Sequence, residues 1–491
     1  MKTVRLFLWL ICSCTGMVQA QVGGIDPNFT PGDGFGPNMF TGLCRVVLQQ
    51  PDGKLLVGGG FEVYDGDTSI CLARLNPNGT RDNSFTPQIN KSWSGSVATI
   101  ALQPDGKILV GGTFETVAGQ PRQNLARLHA NGTLDTSFSI ASGFNFGVSA
   151  VAVLPDGKIL VGGGFTIFDP NWNGTQTPVN GFVRLQANGA LDTTFNISGA
   201  FSQVPGFNRA SAKFIALQPD GKILAAGQIG SSGPQGNRLY IARFNANGSL
   251  DPSFDAGNHP ANTRDQFNAT LIQFKLLPNG KIMLGGTYVG GVSGLDRLNS
   301  DGSLDTTFVV TPGINDHRCW ALAVQGDGKV LAARVNFGPP SEAMILERYL
   351  PNGQLDTAFP TRFFGNDVND ILVQQDGNIV LVGNFSYNPR GIMRLIGDYS
   401  TVDVHEHAAK HVPVKVYPQP AQDFVQIEWP AEQFESGLQL QIRSIDSRLW
   451  HEQALEHWST RIALDGIPVG LYFYEITKGT MRLHQGRLLK Q

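Results

Sequence analysis

Six arginines stand eight residues ahead of six aspartates: Arg74 and Asp82, Arg127 and Asp135, Arg184 and Asp192, Arg243 and Asp251, Arg297 and Asp305, Arg348 and Asp356. Opposite charges at a fixed interval can pair across a hairpin, hold a ligand or polarise a reacting group. What lies between them decides. Each interval contains an Asn-Gly or Asp-Gly step, as in Ala130-Asn131-Gly132, which suits a three-residue hairpin loop with glycine in the left-handed conformation. Centred on Asn131, that loop sets Arg127 opposite Asp135. A catalytic or ligand-binding set is the functional alternative, but a charge pair present in every copy reads as scaffold. Such a pair is worth about 0.2–1 kcal/mol if exposed and costs more to break if buried. A seventh arginine, Arg394, has no Asp-x-x-Phe behind it; its equivalent partner is Asp26, near the other end of the chain. That pair is expected to staple the ends together.

Other chemistry is sparse. His451-Glu452 is followed by Gln453-Ala454-Leu455, so there is no His-Glu-x-x-His, and no Gly-x-Ser-x-Gly occurs. The glycine-rich Gly32-Asp33-Gly34-Phe35-Gly36 precedes no helical pattern, which removes a dinucleotide reading. Asn299-x-Asp301-Gly302-x-x-Asp305 places oxygen ligands for calcium in a short glycine loop. Its sister loops carry asparagine, as in Asn245-x-Asn247-Gly248, and a plain hairpin turn accounts for all of them. No cofactor is expected, with calcium the one weak candidate. His405, His407 and His411 are spaced for a weak metal site but fit a polar linker better.

The elements that position these charges repeat. Pro104-Asp105-Gly106-Lys107-Ile108-Leu109-Val110-Gly111-Gly112 is the clearest form of an opening phrase centred on Gly53, Gly106, Gly157, Gly221, Gly280, Gly328 and Gly377, at intervals of 48 to 64 residues. That period signals a propeller, solenoid or array. The closing phrase Asp-x-x-Phe follows six of the seven openings, and its remaining copy, Asp26 to Phe29, stands upstream of the first. Such an offset suits a ring whose N-terminal strand completes the last unit, because closure limits unpaired edges. Each unit divides into four short apolar runs, such as Val97 to Leu102, Lys107 to Phe114, Asn124 to Leu128 and Thr133 to Phe138. The expectation is an all-β chain: a seven-bladed β-propeller closed by the N-terminal strand, followed by a small Ig-like β-sandwich. Paired glycines such as Gly58-Gly59 and Gly111-Gly112 mark close backbone approach, and Phe61, Phe114, Phe165, Tyr288 and Phe385 are expected core anchors.

The opening phrase together with Asn-Gly-x-Leu-Asp-x-x-Phe resembles the delta-60 repeat of secreted bacterial proteins, over nearly the whole span from Ile25 to Gly397. The resemblance implies a propeller and no particular activity. The sixth and seventh units depart most, with Gly326 and Gln375 in place of proline and Asn378 in place of lysine.

The basic start Met1 to Arg5, the apolar stretch from Leu6 and the small residue at Ala20 read as a signal peptide over residues 1–20. No other stretch approaches the roughly 20 apolar residues of a membrane helix, so no transmembrane segment is expected. With 37 basic and 40 acidic residues there is no footprint for nucleic acid. Export would leave Cys44, Cys71 and Cys319, an odd number and no disulfide framework. Cys44 and Cys71 either pair within one unit or stand as separate buried thiols.

The glycine rhythm ends at 398, giving a propeller over 21–398, a linker over 399–411 and a second domain over 412–491. In that domain Phe424-Val425-Gln426-Ile427-Glu428-Trp429 alternates as a half-buried strand does. Val416-Tyr417-Pro418-Gln419-Pro420-Ala421, Gly470-Leu471-Tyr472 and the basic finish from Gly486 to Gln491 resemble the C-terminal sorting domain of the type IX secretion system of Bacteroidetes. Gln419 stands where that family has asparagine. The resemblance implies type IX machinery as partner and a secreted, extracellular protein, released or anchored at the outer cell surface.

Function, where it departs from scaffold, is expected where units differ. Trp172, Phe201, Phe207, His259 and Arg264 lie on the long connections 168–181, 197–209 and 257–267, and Arg334 replaces a repeat glycine. The expected role is non-enzymatic binding of an extracellular protein or glycan. A secreted polysaccharide-active enzyme, with converging carboxylates, and a structural or adhesin component of the surface are the alternatives.

Overall fold

The computed structural model describes residues 22–36, 44–91, 95–140, 142–169, 177–179, 181–195, 207–231, 238–254, 270–277, 279–287, 294–310, 318–336, 343–364, 367–384, 390–398, 415–417, 421, 423–428, 437–444, 449–468, 470–478 and 481–490. It divides into two compact units, Met1–Tyr399 and Ser400–Gln491. Every regular element among the described residues is a strand.

In the first unit each repeat builds an antiparallel sheet from its first three runs. Ser96–Leu102 pairs with Ile108–Thr113, which pairs with Leu125–Leu128. The turn between the first two strands closes through Gln103 N–H to the Lys107 carbonyl at 2.9 Å and Gly106 N–H to the Gln103 carbonyl at 2.9 Å, with Gly106 at φ 81°. That value favours glycine. Seven such sheets follow one another, with first strands Cys44–Gln49, Ser96–Leu102, Val148–Val153, Phe207–Leu217, Thr270–Leu276, Arg318–Val324 and Val368–Val373. Each first strand lies against that of the next sheet, and the seventh lies against the first. These strands therefore wall a common axis, and the sheets radiate from it as a β-propeller.

The core sits between sheets. Leu56, Leu72 and Phe85 of the first repeat pack with Ile108 and Val110 of the second sheet. Phe29, Val57 and Phe61 pack with Val380, Val382 and Ile392 of the seventh sheet. Middle strands are buried along their whole length, as Leu55–Gly59 and Ile159–Gly163 are, because a sheet covers each face. This is why they read as continuous apolar runs and do not alternate. The glycines keep the sheets close: a Cβ on Gly58 would come within 2.7 Å of the Val97 side chain in the next sheet. The chain ends meet at the seam. Ile25 bridges Leu395, Asp26 N–H donates to the Arg394 carbonyl at 2.9 Å, and Gly23 N–H donates to that of Ile396 at 2.7 Å.

The fourth run differs from expectation. In six sheets it makes a single bridge, such as Leu128 to Leu134, where a full strand was read. The cause is the aspartate that follows. Asp135 Oδ1 accepts from Ser137 N–H at 3.0 Å and Ser137 Oγ at 2.6 Å, an Asx turn that bends the chain away from the ladder. The sixth sheet gains a fourth strand from Arg362–Phe364, beyond that turn. A second correction concerns the connection read over 197–209: Phe207 to Arg209 already belong to the strand Phe207–Leu217, paired with Ile223–Ser231.

The second unit has two antiparallel sheets. Lys415–Tyr417, Phe424–Glu428 and Ser459–Ala463 form one; Leu449–Leu455, Leu438–Ser444, Gly470–Lys478 and Met481–Lys490 form the other. Val425, Ile427 and Ile462 from the first and Leu438, Leu440, Ile442, Tyr474 and Leu488 from the second share one core. Phe424–Glu428 alternates as the sequence does, with Val425 and Ile427 inward. Lys490 is a structural cap, its Nζ donating to the Leu464 and Ile467 carbonyls at 2.6 and 2.7 Å.

Candidate functional site

Two ends of the sheets differ in kind. The Pro-Asp-Gly turn and the Asn-Gly hairpin leave the same end, because Leu102, Ile108 and Leu128 stand in one register row. We call that end the rim and the other, where each first strand begins, the mouth.

At the rim the Arg–Asp pairs recur in all seven sheets. Nε to Oδ2 distances are 2.6 to 2.8 Å, including Arg394 to Asp26 at 2.7 Å and Arg127 to Asp135 at 2.8 Å. All of these side chains are buried. Each guanidinium lies over the Asp-x-x-Phe ring, 4.6 to 5.0 Å from its centroid, a cation–π contact away from water. The remaining donors reach further. Arg127 Nη1 donates to the Ala187 carbonyl at 2.7 Å, Arg184 to Ala246 at 2.6 Å and Arg394 to Pro77 at 2.5 Å, each on the hairpin of the following sheet. Arg348 instead meets the Asp398 carboxylate at 2.5 Å, where the seventh repeat lacks a hairpin. Each arginine is thus a latch to the next sheet as well as a pair within its own.

Burial alone would raise the carboxyls of Asp82 and Asp135. It is outweighed by Lys54, Ser84 and Arg74 at Asp82, and by Ser137 and Arg127 at Asp135, which hold both well below the usual carboxylate range. Asp192, Asp251 and Asp305 are held down in the same way. Lysines of the Pro-Asp-Gly turns share the acceptor, Lys281 at 2.7 Å from Asp305 Oδ2. Asp305 is therefore engaged by Arg297, Lys281 and Thr307, while Asp301 Oδ1 accepts from Ser303. The loop first read as a calcium candidate is occupied by its own turn bonds.

At the mouth every first strand carries an extra residue opposite its partner. The register steps from Cys44 with Gly59 to Val46 with Gly58, from Val97 to Thr99, Val148 to Ala150, Ala212 to Phe214, Leu271 to Gln273, Cys319 to Ala321 and Val368 to Asp370. The bulged residues are Arg45, Ala98, Ser149, Lys213, Ile272, Trp320 and Asn369. A bulge re-aims a side chain and interrupts pairing, and bulges gather beside functional sites. Side chains reach the backbone of other sheets here. Gln273 Nε2 donates to the Asn369 carbonyl at 3.3 Å, passing the sixth sheet, and Asn369 Nδ2 donates to the Cys44 carbonyl at 2.8 Å. Asp370 accepts from Val47 N–H at 3.1 Å and Ile371 N–H at 3.0 Å. Burial pushes its carboxyl up, against the nearby Lys275 charge and those two donors.

Of the residues read as contact candidates, Trp172, Phe201, His259 and Arg264 lie outside the described residues, as do His405, His407 and His411. Phe207 is placed in a strand. Arg334 is 3% exposed; it donates to the Tyr349 hydroxyl and, at 3.4 Å, to Glu347. That sets it inside the sheet and apart from the loops with which it was grouped. Cys44, Cys71 and Cys319 are free and buried; burial pushes the Cys71 and Cys319 thiols up to about 12, which leaves them unreactive. The bulged residues went unnoticed in the sequence. Their signal is a position fixed relative to the Pro-Asp-Gly turn at which residue type is not repeated.

The family model described as domain of unknown function (DUF5122) beta-propeller matches residues 50–85, 103–138, 154–195, 218–254 and 277–308. That described as secretion system C-terminal sorting domain matches residues 415–490. No curated protein matches the chain. Among solved structures, PorZ, a surface component of the type IX secretion system of Porphyromonas gingivalis, is 14% identical with a TM-score of 0.37, over 91% of this chain and 65% of that one. This chain therefore spans less than two thirds of that protein's length. A PL25 ulvan lyase is 10% identical with a TM-score of 0.39, over 77% of this chain and 94% of that one. A Xanthomonas campestris gluconolactonase is 12% identical with a TM-score of 0.33, over 63% and 94%.

Proposed function

We propose that this chain, which is built of DUF5122 β-propeller repeats and ends in a type IX secretion sorting domain, is a non-enzymatic binding module for an extracellular protein or glycan. The sorting domain marks it for export to the cell surface or the medium. Among the described residues no helix is long and apolar enough to cross a membrane. In this reading residues 1–20 direct passage of the inner membrane, residues 412–491 engage the type IX machinery, and a seven-bladed ring over 21–398 is the cargo.

The observation that carries the binding reading is the mouth. Rim residues are repeated because they bind the protein to itself; the bulged residues occupy one repeated geometry with unrelated side chains. A rigid frame that varies its side chains at one end presents a recognition surface. The test is a screen of the full chain against glycans and cell surfaces, recording bound material and newly released sugar ends. Binding without release is expected. Release would overturn the reading in favour of a polysaccharide-active enzyme, and self-association without either would favour a structural surface component.

A further inference from the structure

We propose that the ring is closed twice at one junction: by the N-terminal segment on the outer side and, separately, by a polar clasp at the axis in which Asn369, Asp370 and Gln375 of the seventh repeat hold the first strand of the first sheet. The clasp keeps those two sheets together when the N-terminal segment lifts away.

Elsewhere in the ring the chain leads from each sheet directly to the next. Sheets seven and one are linked by the chain only through the N-terminal segment, where Ile25 bridges Leu395 and Gly34 bridges Arg390. Apolar packing also joins them: Leu55 and Val57 of the first sheet share a core with Val380 and Val382 of the seventh. Packing of this kind is non-directional and does not by itself set the level of one strand against another.

Three hydrogen bonds supply the direction. Asn369 Nδ2 donates to the Cys44 carbonyl at 2.8 Å, Val47 N–H donates to Asp370 Oδ2 at 3.1 Å, and Gln375 N–H donates to Gln49 Oε1 at 3.2 Å. They span the strand Cys44–Gln49 from end to end and so fix its level against Val368–Val373. Cys44–Gln49 is an edge strand of its sheet, and the clasp gives two of its backbone groups partners that no neighbouring strand supplies. The bulge makes this possible. In an unbroken strand neighbouring side chains point to opposite faces, whereas the extra residue lets Asn369 and Asp370 both turn to the first sheet. A further bond braces the clasp from the fifth sheet, Gln273 Nε2 donating to the Asn369 carbonyl at 3.3 Å. Among the described residues no side-chain hydrogen bond joins the first strands of sheets one and two, or of two and three.

The outer closure uses other groups. Asp26 pairs with Arg394, Gly23 N–H donates to the Ile396 carbonyl, and Arg362 Nε donates to that of Gly23. None of these residues belongs to Cys44–Gln49 or to 368–375. Asn369 is thereby set apart from the other bulged residues, since its amide is engaged by the frame.

Hydrogen exchange on the full chain, read by mass spectrometry, separates the two closures. Asn369→Ala combined with Asp370→Ala should speed exchange over 44–49 about tenfold or more, the loss of two hydrogen bonds, while 22–36 keeps its wild-type protection. Asp26→Ala should do the reverse, loosening 22–36 and leaving 44–49 protected. Gln49→Ala removes one bond of the clasp and should give a smaller rise over 44–49; with Asn369→Ala alone it takes the place of the double variant if melting curves show that chain unfolded. Unchanged exchange over 44–49 in the clasp variants would overturn the proposal. So would 44–49 and 22–36 loosening together in either the clasp or the Asp26→Ala variant, because the junction would then have a single closure. Protection of both segments in Asp26→Ala, with 44–49 alone loosened by the clasp variants, still supports two.

Discussion

The rim and the mouth are built from the same repeats and obey opposite rules. At the rim, Arg127, Asp135 and Phe138 have equivalents in each repeat, and their polar atoms are consumed by one another and by the next sheet. At the mouth, backbone geometry recurs while the side chains at the bulges run from alanine to tryptophan. Where a residue must satisfy a neighbour copied from the same unit, its type is constrained. At a bulge no such copied neighbour is set opposite, and the backbone geometry is what recurs. The titrating groups divide likewise: Asp82, Asp135, Asp192, Asp251 and Asp305 at the rim are held down, whereas Asp370 is pushed up.

The largest expected effect is collective. Asp82, Asp135, Asp192, Asp251 and Asp305 are depressed in the folded chain, so the folded state binds fewer protons than the unfolded one in acid. Their contribution is full above the unfolded carboxylate value of about 4 and is lost as pH falls below it towards their folded values. Urea unfolding followed from pH 6 to pH 2 should show a flat stability giving way to a steep fall. No fall below pH 4 would break the comparison at its root.

Single latches come next. Removing one partner of a buried pair costs about 3–5 kcal/mol, so Arg127→Met and Arg394→Met should each lower stability by that order in denaturant unfolding. Arg394→Met should also expose the N-terminal segment to protease, since it holds Asp26 and Pro77 together across the seam. Asp370→Asn should cost less than Asp135→Asn, because burial already opposes the charged form at Asp370, whereas its partners hold Asp135 ionised.

Backbone approach follows. A Cβ on Gly112 would sit 2.0 Å from the Ser96 carbonyl oxygen, whereas one on Gly106 meets nothing within 4 Å. Gly112→Ala should cost about 1–3 kcal/mol or more through overpacking, and Gly106→Ala only about 1–2 kcal/mol for its left-handed backbone; paired thermal melts distinguish them. The smallest effect belongs to the mouth: Arg45→Ala and Ser149→Ala should stay within about 0.5 kcal/mol of wild type. A large loss at either would make the bulges part of the scaffold.

Much of the rim was readable because its logic is local. Eight residues and a left-handed glycine place Arg127 against Asp135, and that interval is visible in the chain. The reach of each arginine to the next sheet was not, since the acceptor lies 54 to 62 residues away for five of them and, for Arg394, at Pro77 across the seam. Still, a guanidinium has five donors and one aspartate cannot satisfy them all, so a further acceptor was implied. The fourth run was misread because Leu134 and its neighbours have strand composition, while the Asx turn at Asp135 decides the path. Arg334 drew notice as a lost glycine, but only packing shows that Tyr349 and Glu347 receive it.

The sequence by itself determined the repeat, the all-β character, the displaced closing phrase that joins Asp26 to Arg394, and the sorting domain. Each is a pattern written in residue order, and periodic local interactions suffice to express it. Tertiary structure decided which donors are satisfied across sheets and that each inner strand bulges at one level. Bulges are set by how seven strands pack round an axis, and no single strand carries that information.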